Sequence, residues 1–262
     1  MGQEFKNFDI GGIKLVALAD VPNAPAATAP NTALLVGLSQ DELARVTAED
    51  MANSINMFVL KTGKGNYLFD TGLGEDGPRK GEMIASLKSA GFEPGDIDGV
   101  VLTHFHPDHI GGLVKGGNAV FPKATLYVGR MEVEKGPQVF DKFSGAYEGR
   151  TVRFEWGDEI VPGVKAFEAA GHTNGHSVFL VENAGDRLLI MGDLIHFGGV
   201  QLPRPEIAVT YDTDPAAAVA ARKRVFAMAA EEGIPVASMH LRFPGVGKLA
   251  KAGEGYSFTV LP

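Results

Sequence analysis

One short segment of the 262-residue chain holds its densest group of metal-ligating side chains. Residues Thr103–His109 read Thr-His-Phe-His-Pro-Asp-His, so three of the seven histidines and one aspartate lie within six residues. The segment follows the apolar run Gly99–Leu102, which predicts that the ligands lie at the end of a strand. Imidazole and carboxylate groups clustered in this way are typical of a metal site. The alternative is a histidine-rich surface turn without a metal.

The order of the side chains in this segment favours two metal ions over one. In extended backbone, residues two positions apart point to the same side, which places His104 and His106 together. Pro107 then breaks the strand, so that Asp108 and His109 can point elsewhere. Two pairs of ligands about one turn apart fit two cations that lie close together.

Other polar residues also follow apolar runs. The segment Gly171–His176 comes after one predicted strand, Asp193 follows Leu188–Met191, and His240 follows Val236–Ser238. Because each polar group stands just past the C-terminal end of a strand, all of them could converge on one rim of a sheet. The alternatives are, in turn, a core or capping histidine, a turn aspartate and a buried, hydrogen-bonded histidine.

Together these motifs resemble the metallo-β-lactamase superfamily of binuclear metallohydrolases. The resemblance runs from Asp70-Thr71-Gly72 through the motifs above to the late histidine. It implies an α+β class fold, a four-layer αβ/βα sandwich with the metal site at one edge of two sheets, formed by a single domain over residues 1–262. The ligands it implies are His104, His106 and His172 for one metal, Asp108, His109 and His240 for the other, and Asp193 as the bridge.

Three further residues receive supporting roles from the same resemblance. Asp70 is expected to hydrogen-bond to the ligand shell, and His176 to pack near the site without binding metal. His196 stands three residues after the bridging aspartate, where many acyl-homoserine lactonases have a tyrosine that assists the substrate carbonyl. His196 could donate a hydrogen bond to an oxyanion, or it could only orient Asp193 or a neighbouring loop.

The predicted ligands indicate which branches of the superfamily the chain resembles. The chain has no cysteine, which argues against the thiolate-containing β-lactamase type. A bridging aspartate resembles instead the glyoxalase II-like enzymes, lactonases, methyl parathion hydrolase-type phosphotriesterases and tRNA-processing nucleases. The stretches Gly192–His196 and His240–Gly247 are similar to the methyl parathion hydrolase group.

The sequence therefore predicts a hydrolase that uses a hydroxide bridging two divalent metals to cleave a small ester-type substrate. A lactone, a carboxylic ester and a phosphotriester all fit this chemistry. One cation lowers the pKa of bound water to about 7, and the other polarises the substrate oxygen. Asp108 is expected to aim the hydroxide and to pass a proton to the leaving group. Zn²⁺ is the expected metal, and Mn²⁺, Fe²⁺ and Co²⁺ also suit these ligands.

Other activities stay open on the sequence alone. A mononuclear iron sulfur dioxygenase of the same fold would use only the first group of ligands, and a glyoxalase II-like thioesterase would use both. A β-lactam substrate also remains open. The net charge of −8 and the lack of a long basic run argue against nucleic acid as a partner.

The composition fits a soluble enzyme that acts on a small molecule. Hydrophobic residues make up 45% and charged residues 21% of the chain, a balance typical of globular proteins. No apolar run is long enough for a membrane span, and the first residues contain no apolar signal core. This predicts a cytoplasmic protein, with a periplasmic or secreted one open if a leader was removed. The resemblance is also compatible with a homodimer.

Short apolar runs predict many strands and few helices. Helices are predicted at Glu82–Ala90 and, after an Asp-Pro start signal, at Ala216–Glu232, with Arg222–Arg224 on its solvated face. Loops that shape the substrate pocket are expected at Val21–Asn31, Gly136–Gly149 and Phe197–Asp212, and for the first and third an irregular connector without contact to substrate is the alternative. The predicted strands are Ile13–Leu18, Asn56–Lys61, Tyr67–Phe69, Val100–Leu102, Thr125–Val128, Thr151–Glu155, Val164–Ala169, Ser177–Val181, Arg187–Met191, Val236–Ser238 and Ser257–Leu261.

Overall fold

Short apolar runs separated by turn residues fold into strands that fill two large sheets. The computed structural model describes residues 4–22, 29–76 and 79–262. In chain order the strands are β1 (Phe5–Ile10), β2 (Ile13–Val21), β3 (Leu35–Val36), β4 (Ile55–Thr62), β5 (Gly65–Phe69), β6 (Gly99–Val101), β7 (Val114–Lys115), β8 (Asn118–Ala119), β9 (Thr125–Gly129), β10 (Thr151–Phe154), β11 (Glu159–Val161), β12 (Val164–Glu168), β13 (Ser177–Asn183), β14 (Asp186–Ile190), β15 (Ala208–Val209), β16 (Val236–Ala237), β17 (Val246–Ala252) and β18 (Gly255–Val260). The helices are α1 (Gln40–Leu43), α2 (Met83–Ser89), α3 (Pro107–Ile110), α4 (Arg130–Lys135), α5 (Pro137–Ser144), α6 (Gly198–Gln201) and α7 (Pro215–Glu231).

The two sheets have seven strands each and follow the chain in two halves. The first has the order β1-β2-β4-β5-β6-β9-β10, and the second has the order β11-β12-β13-β14-β16-β17-β18. Most neighbours are antiparallel hairpin partners, but β5, β6, β9 and β10 run parallel to one another, as do β14 and β16. Both sheets are therefore mixed.

Alternating side chains cover both faces of each sheet. In β4, Phe58 and Leu60 face the second sheet, whereas Met57 and Val59 belong to the core on the outer side, because successive residues of a strand point to opposite faces. Helices α2, α4 and α5 contribute to the core outside the first sheet, and α7 packs outside the second. These four layers confirm the expected αβ/βα sandwich.

The strand ends explain where the polar motifs lie. Asp70 follows β5, the histidine-rich segment follows β6, Asp193 follows β14 and His240 follows β16. Because the parallel strands end on the same side, their C-terminal ends bring these residues to one edge of the sandwich.

The predicted elements agree with the structure except in two of the expected loops. Each predicted strand overlaps a strand, and both predicted helices are present as α2 and α7. The expected loop at Gly136–Gly149 is wrong: most of it is α5 and a 3₁₀ turn at Gly145–Tyr147. It is ordered because the rings of Phe140 and Phe143, three residues apart on the helix, pack on Phe105.

The other two expected loops differ from each other. The segment Phe197–Asp212 contains α6 and β15, and β15 pairs with β3, so the expectation of an irregular connector is wrong in part. Apolar side chains of this segment are buried, and their burial orders the segment although its sequence has no periodic pattern. Residues 23–28 of the expected loop Val21–Asn31 lie outside the described residues.

The expectation of a fully solvated Arg222–Arg224 face is also wrong. Arg222 is completely buried, whereas Lys223 and Arg224 are exposed. The helix α7 is rich in alanine, so its sequence shows no clear division into an apolar and a polar face, and the inward-facing arginine could not be recognised. Among the described residues, no helix has the length and apolar character needed to cross a membrane.

Candidate metal centre

Four side chains from three separate strand ends form the first ligand group. His104, His106, His172 and Asp193 each place one nitrogen or oxygen atom within 4.8 Å of the others. His172 Nε2 lies 2.9 Å from His106 Nδ1 and 3.2 Å from Asp193 Oδ2. The side chain of Asp193 is 3% exposed, so this group is screened from bulk water.

A second group lies directly beside the first and shares Asp193 with it. Asp108, His109 and His240 have ligand atoms within 4.8 Å of one another. His109 Nε2 lies 3.1 Å from Asp193 Oδ1, and His240 Nε2 lies 3.1 Å from Asp193 Oδ2. The seven side chains singled out in the sequence thus converge on one place, as two groups with Asp193 between them.

Several buried atoms of these groups have no hydrogen-bond partner in the described part of the chain. They are His104 Nε2 and the pair His109 Nε2 and Asp193 Oδ1, which lie 3.1 Å apart without forming a hydrogen bond of suitable geometry. A buried polar atom without a partner is unfavourable by about 1–3 kcal/mol. Lone pairs that converge without donors to satisfy them are suited to cations, so the residues present fit a pair of divalent metals.

Hydrogen bonds to the far sides of the rings fix the orientation of the histidines. Asp70 Oδ2 lies 2.7 Å from His109 Nδ1, Asp212 Oδ1 lies 3.0 Å from His172 Nδ1, and the Ser54 carbonyl lies 3.1 Å from His240 Nδ1. An acceptor at Nδ1 keeps the proton on that nitrogen and leaves the Nε2 lone pair for a metal.

Of these supporting groups, only Asp70 was expected from the sequence. Thr103 extends its effect, because the Thr103 hydroxyl donates to Asp70 Oδ2 and accepts from His104 Nδ1, at 2.8 and 2.9 Å. Asp212 and Ser54 lie in segments without any motif, so no signal in the sequence points to them.

His176 and His196 surround the shared aspartate without joining the two ligand groups described above. His176 Nε2 accepts a hydrogen bond from the backbone N–H of Asp193 at 2.9 Å, and its Nδ1 lies 3.0 Å from the Ala169 carbonyl. His196 Nε2 lies 3.2 Å from Asp193 Oδ2. Asp193, His196 and His240 form a third close group.

Burial and nearby carboxylates shift the pKa values of the histidines in opposite directions. Burial lowers the pKa of His104 well below its ordinary value and that of His106 to about 4. Burial also acts on His109, but three nearby carboxylates outweigh it and raise the pKa of that ring well above its ordinary value. Burial raises the pKa of Asp193, but the surrounding histidines outweigh this and lower it well below the ordinary value. The shared aspartate is therefore a carboxylate.

A cavity of about 510 Å³ opens onto the two ligand groups. Its size is in the range of small-molecule sites. Asp108 is 27% exposed and lies at the boundary between the cavity and the buried ligands. Of the three expected pocket loops, Gly136–Gly149 contributes no lining residue. Residues beside the ligands that line the cavity are Val21, Leu34, Asn53, Ser54, Ile55, Leu73, Arg79, Pro107, His196, Phe197 and Tyr211.

Known proteins share both the fold and the sequence pattern. The family model of the metallo-beta-lactamase superfamily matches residues 51–232. An N-acyl homoserine lactonase from a Bacillus species is 29% identical over 147 residues, 48% of this chain and 57% of the relative. The chain spans about half the length of the curated relatives it matches.

Two solved structures superimpose on nearly the whole chain. The hydrolase AbOPH of the beta lactamase superfamily is 28% identical, with a TM-score of 0.86 over 100% of this chain and 99% of its own. AidC, a dizinc quorum-quenching lactonase in complex with a product, is 24% identical, with a TM-score of 0.82 over 99% and 98% of the two chains. The matched family model, the four layers and the position of the ligand groups lead to one conclusion: this chain belongs to the metallo-beta-lactamase superfamily.

Proposed function

We propose that the protein is a binuclear metallohydrolase that opens small ester-type substrates, with lactones as the first class to test. The observation that carries the proposal is the sharing of Asp193 by two buried ligand groups. In this assignment His104, His106 and His172 would hold one divalent cation, Asp108, His109 and His240 would hold the other, and Asp193 would serve both. Zn²⁺ is the expected metal because imidazole and carboxylate ligands suit it.

The bound cations would supply a hydroxide nucleophile at neutral pH and positive charge at the substrate oxygen. The protein then has to hold the substrate, direct the nucleophile and move one proton.

Asp108 is the group best placed to move that proton. Burial raises its pKa, but His109 and His240 outweigh this and lower it below the ordinary value, so the carboxylate is ionised at neutral pH. Its partial exposure lets it face both the ligand groups and the cavity. We propose that the Asp108 carboxylate accepts a hydrogen bond from the nucleophile and so orients it. The same carboxylate then passes the nucleophile's proton to the leaving oxygen.

The role of His196 follows from its hydrogen-bond partner. Asp193 is a carboxylate and can only accept, so a neutral His196 that meets it at 3.2 Å carries its proton on Nε2. Burial lowers the pKa of His196 to about 4, which keeps the ring neutral, and Nδ1 then has no proton to donate. We therefore propose that His196 orients Asp193. Donation of a hydrogen bond to the substrate oxyanion is the competing role.

The cavity favours a compact substrate with an apolar part. Leu34, Ile55, Leu73 and Phe197 supply apolar lining near the ligands. The Bacillus relative and the AidC structure carry lactonase names, which supports lactones ahead of carboxylic esters and phosphotriesters.

Metal removal and a substrate panel test the proposal. The protein is stripped with a chelator, reloaded with zinc, and assayed on lactones, aryl esters, thioesters, phosphotriesters and a β-lactam. We expect ester-type hydrolysis that disappears on stripping, returns with zinc and is absent in Asp193→Ala. Unchanged rates after stripping contradict the proposal. One iron per chain with oxygen consumption on a sulfur substrate supports the dioxygenase instead.

A further inference from the structure

Arg222 is the largest of the fully buried side chains and lies on α7, behind the metal centre. The other buried residues of that helix are apolar: Ala218, Ala221, Val225, Phe226 and Ala229. An apolar side chain of similar volume is often at least as favourable at such a position, because a buried cation loses its hydration. Packing alone therefore does not account for an arginine at this position.

The guanidinium group of Arg222 joins two separate segments of backbone. Its Nε donates to the carbonyl of Leu194, the residue directly after Asp193. Its Nη1 donates to the carbonyls of Pro205 and Ile207 at 3.0 and 2.8 Å. All three acceptors are backbone oxygens, so the contacts fix the path of the chain.

Gln201 makes a second connection between the same segments. Its Oε1 accepts from the backbone N–H groups of His196 and Phe197, at 2.8 and 3.0 Å. Its Nε2 donates to the Ile207 carbonyl at 3.0 Å. That carbonyl thus receives hydrogen bonds from both Gln201 and Arg222, and both side chains are completely buried.

The first of the joined segments carries a member of the first ligand group, and the second carries a side chain that supports another member. The first segment, residues 193–197, begins with the shared aspartate, whose backbone N–H is held by His176. The second segment, residues 205–212, ends at Asp212, which accepts from the Val209 N–H and lies 3.0 Å from His172 Nδ1. Arg222 therefore lies between the supports of Asp193 and of His172.

We propose that Arg222 is a positioning residue of the metal centre, which sets the separation of Asp193 from His172 by holding these two segments together. The inference rests on the proposed function, in which both side chains bind one cation. A planar fork with several fixed donors can reach acceptors in different directions, whereas a lysine ammonium is a single point of charge. Lysine is therefore not expected to replace it.

The test compares variants of two arginines on the same helix. Arg222→Met and Arg222→Lys remove the fork, and Arg224→Met is the matched control, because Arg224 is exposed and hydrogen-bonds to Glu168. Val225→Ala is a second control, a buried change on α7 that removes apolar packing and leaves the hydrogen-bonding groups of Arg222 and Gln201 in place. Zinc affinity is measured by competition with a chelating dye, and the visible spectrum is recorded after loading with Co²⁺.

We expect both Arg222 variants to weaken zinc binding by about 10-fold or more and to change the Co²⁺ spectrum, while both controls keep the affinity and spectrum of the wild type. If Arg222→Met does not fold, Gln201→Met cuts the parallel connection and is expected to act in the same direction. Variants of Arg222 and Gln201 that bind zinc like the wild type overturn the inference, even where their melting temperatures fall. A wild-type protein that takes up no zinc refutes the metal centre itself, which separates the two failures.

Discussion

Replacing Asp70 by asparagine is expected to weaken metal binding through the protonation of His109. The Asp70 carboxylate is completely buried, lies 2.7 Å from His109 Nδ1 and accepts from the backbone N–H and hydroxyl of Thr103, each at 2.8 Å. In Asp70→Asn the amide oxygen can still accept from the Thr103 N–H, which turns the NH₂ group toward His109. An amide N–H that donates to Nδ1 moves the ring proton to Nε2, the nitrogen assigned to the metal.

The expected loss of zinc affinity comes from the changed hydrogen bond to His109, because the substitution leaves the backbone in place. Asp70 has a φ of 60°, a conformation that asparagine also tolerates, so the backbone has no reason to move. Loss of an outer partner of a metal-binding histidine lowers affinity by about 10–100-fold, or about 1.4–2.8 kcal/mol. We expect this loss mainly for the cation held by Asp108, His109 and His240.

Stepwise zinc dissociation constants, measured by dye competition near neutral pH, check this prediction. Asp98→Asn is the matched control, because Asp98 is exposed and accepts from the Asn66 backbone away from the centre. The reasoning is refuted if Asp70→Asn binds both zinc ions as tightly as the wild type and Asp98→Asn do.

Three further sets of substitutions test the roles of Glu132, His196 and Gly171. Burial raises the pKa of Glu132 to about 7, so folding favours the neutral carboxyl group, and the wild-type protein loses stability as the pH rises from about 4.5 through 7. Glu132→Gln should remove up to about 3 kcal/mol of this loss, which urea unfolding at pH 5 and 8 measures. His196→Gln can still donate to Asp193 and should keep zinc affinity and activity within a few-fold of the wild type, whereas His196→Phe should weaken zinc binding. If both variants bind zinc normally but lose activity, donation by His196 to the substrate oxyanion is favoured instead. A Cβ on Gly171 would lie 2.1 Å from the α7 backbone, so Gly171→Ala should destabilise the protein by about 3 kcal/mol or more. Gly157 also has a positive φ but faces open space, so Gly157→Ala should cost only about 1–2 kcal/mol. Equal melting temperatures of the two variants would contradict this.

The sequence could predict the residues of the candidate ligand groups because their signals are local. His104 to His109 stand next to one another in the chain, and Asp193 and His240 directly follow runs that form strands. Local signals also explain why the sequence predicts these strands well, since the short apolar runs of β4 and β14 are visible within a few residues.

The groups that support the ligands could not be found in the same way. Asp212 reaches His172 from 40 residues further along the chain, and Arg222 reaches backbone carbonyls of two segments. Their roles depend on how α7 packs on the second sheet, which leaves no periodic pattern in an alanine-rich helix. The same limit explains α5, where two phenylalanine rings and a tertiary contact order a segment that the sequence predicts as a loop.

The metal content of the purified, zinc-loaded chain decides whether the centre is binuclear. Two buried ligand groups that share Asp193 predict about two zinc ions per chain, and Asp193→Ala, folded but without the shared carboxylate, should retain fewer. One metal per chain, or none, in the wild-type protein under the same conditions contradicts the binuclear centre.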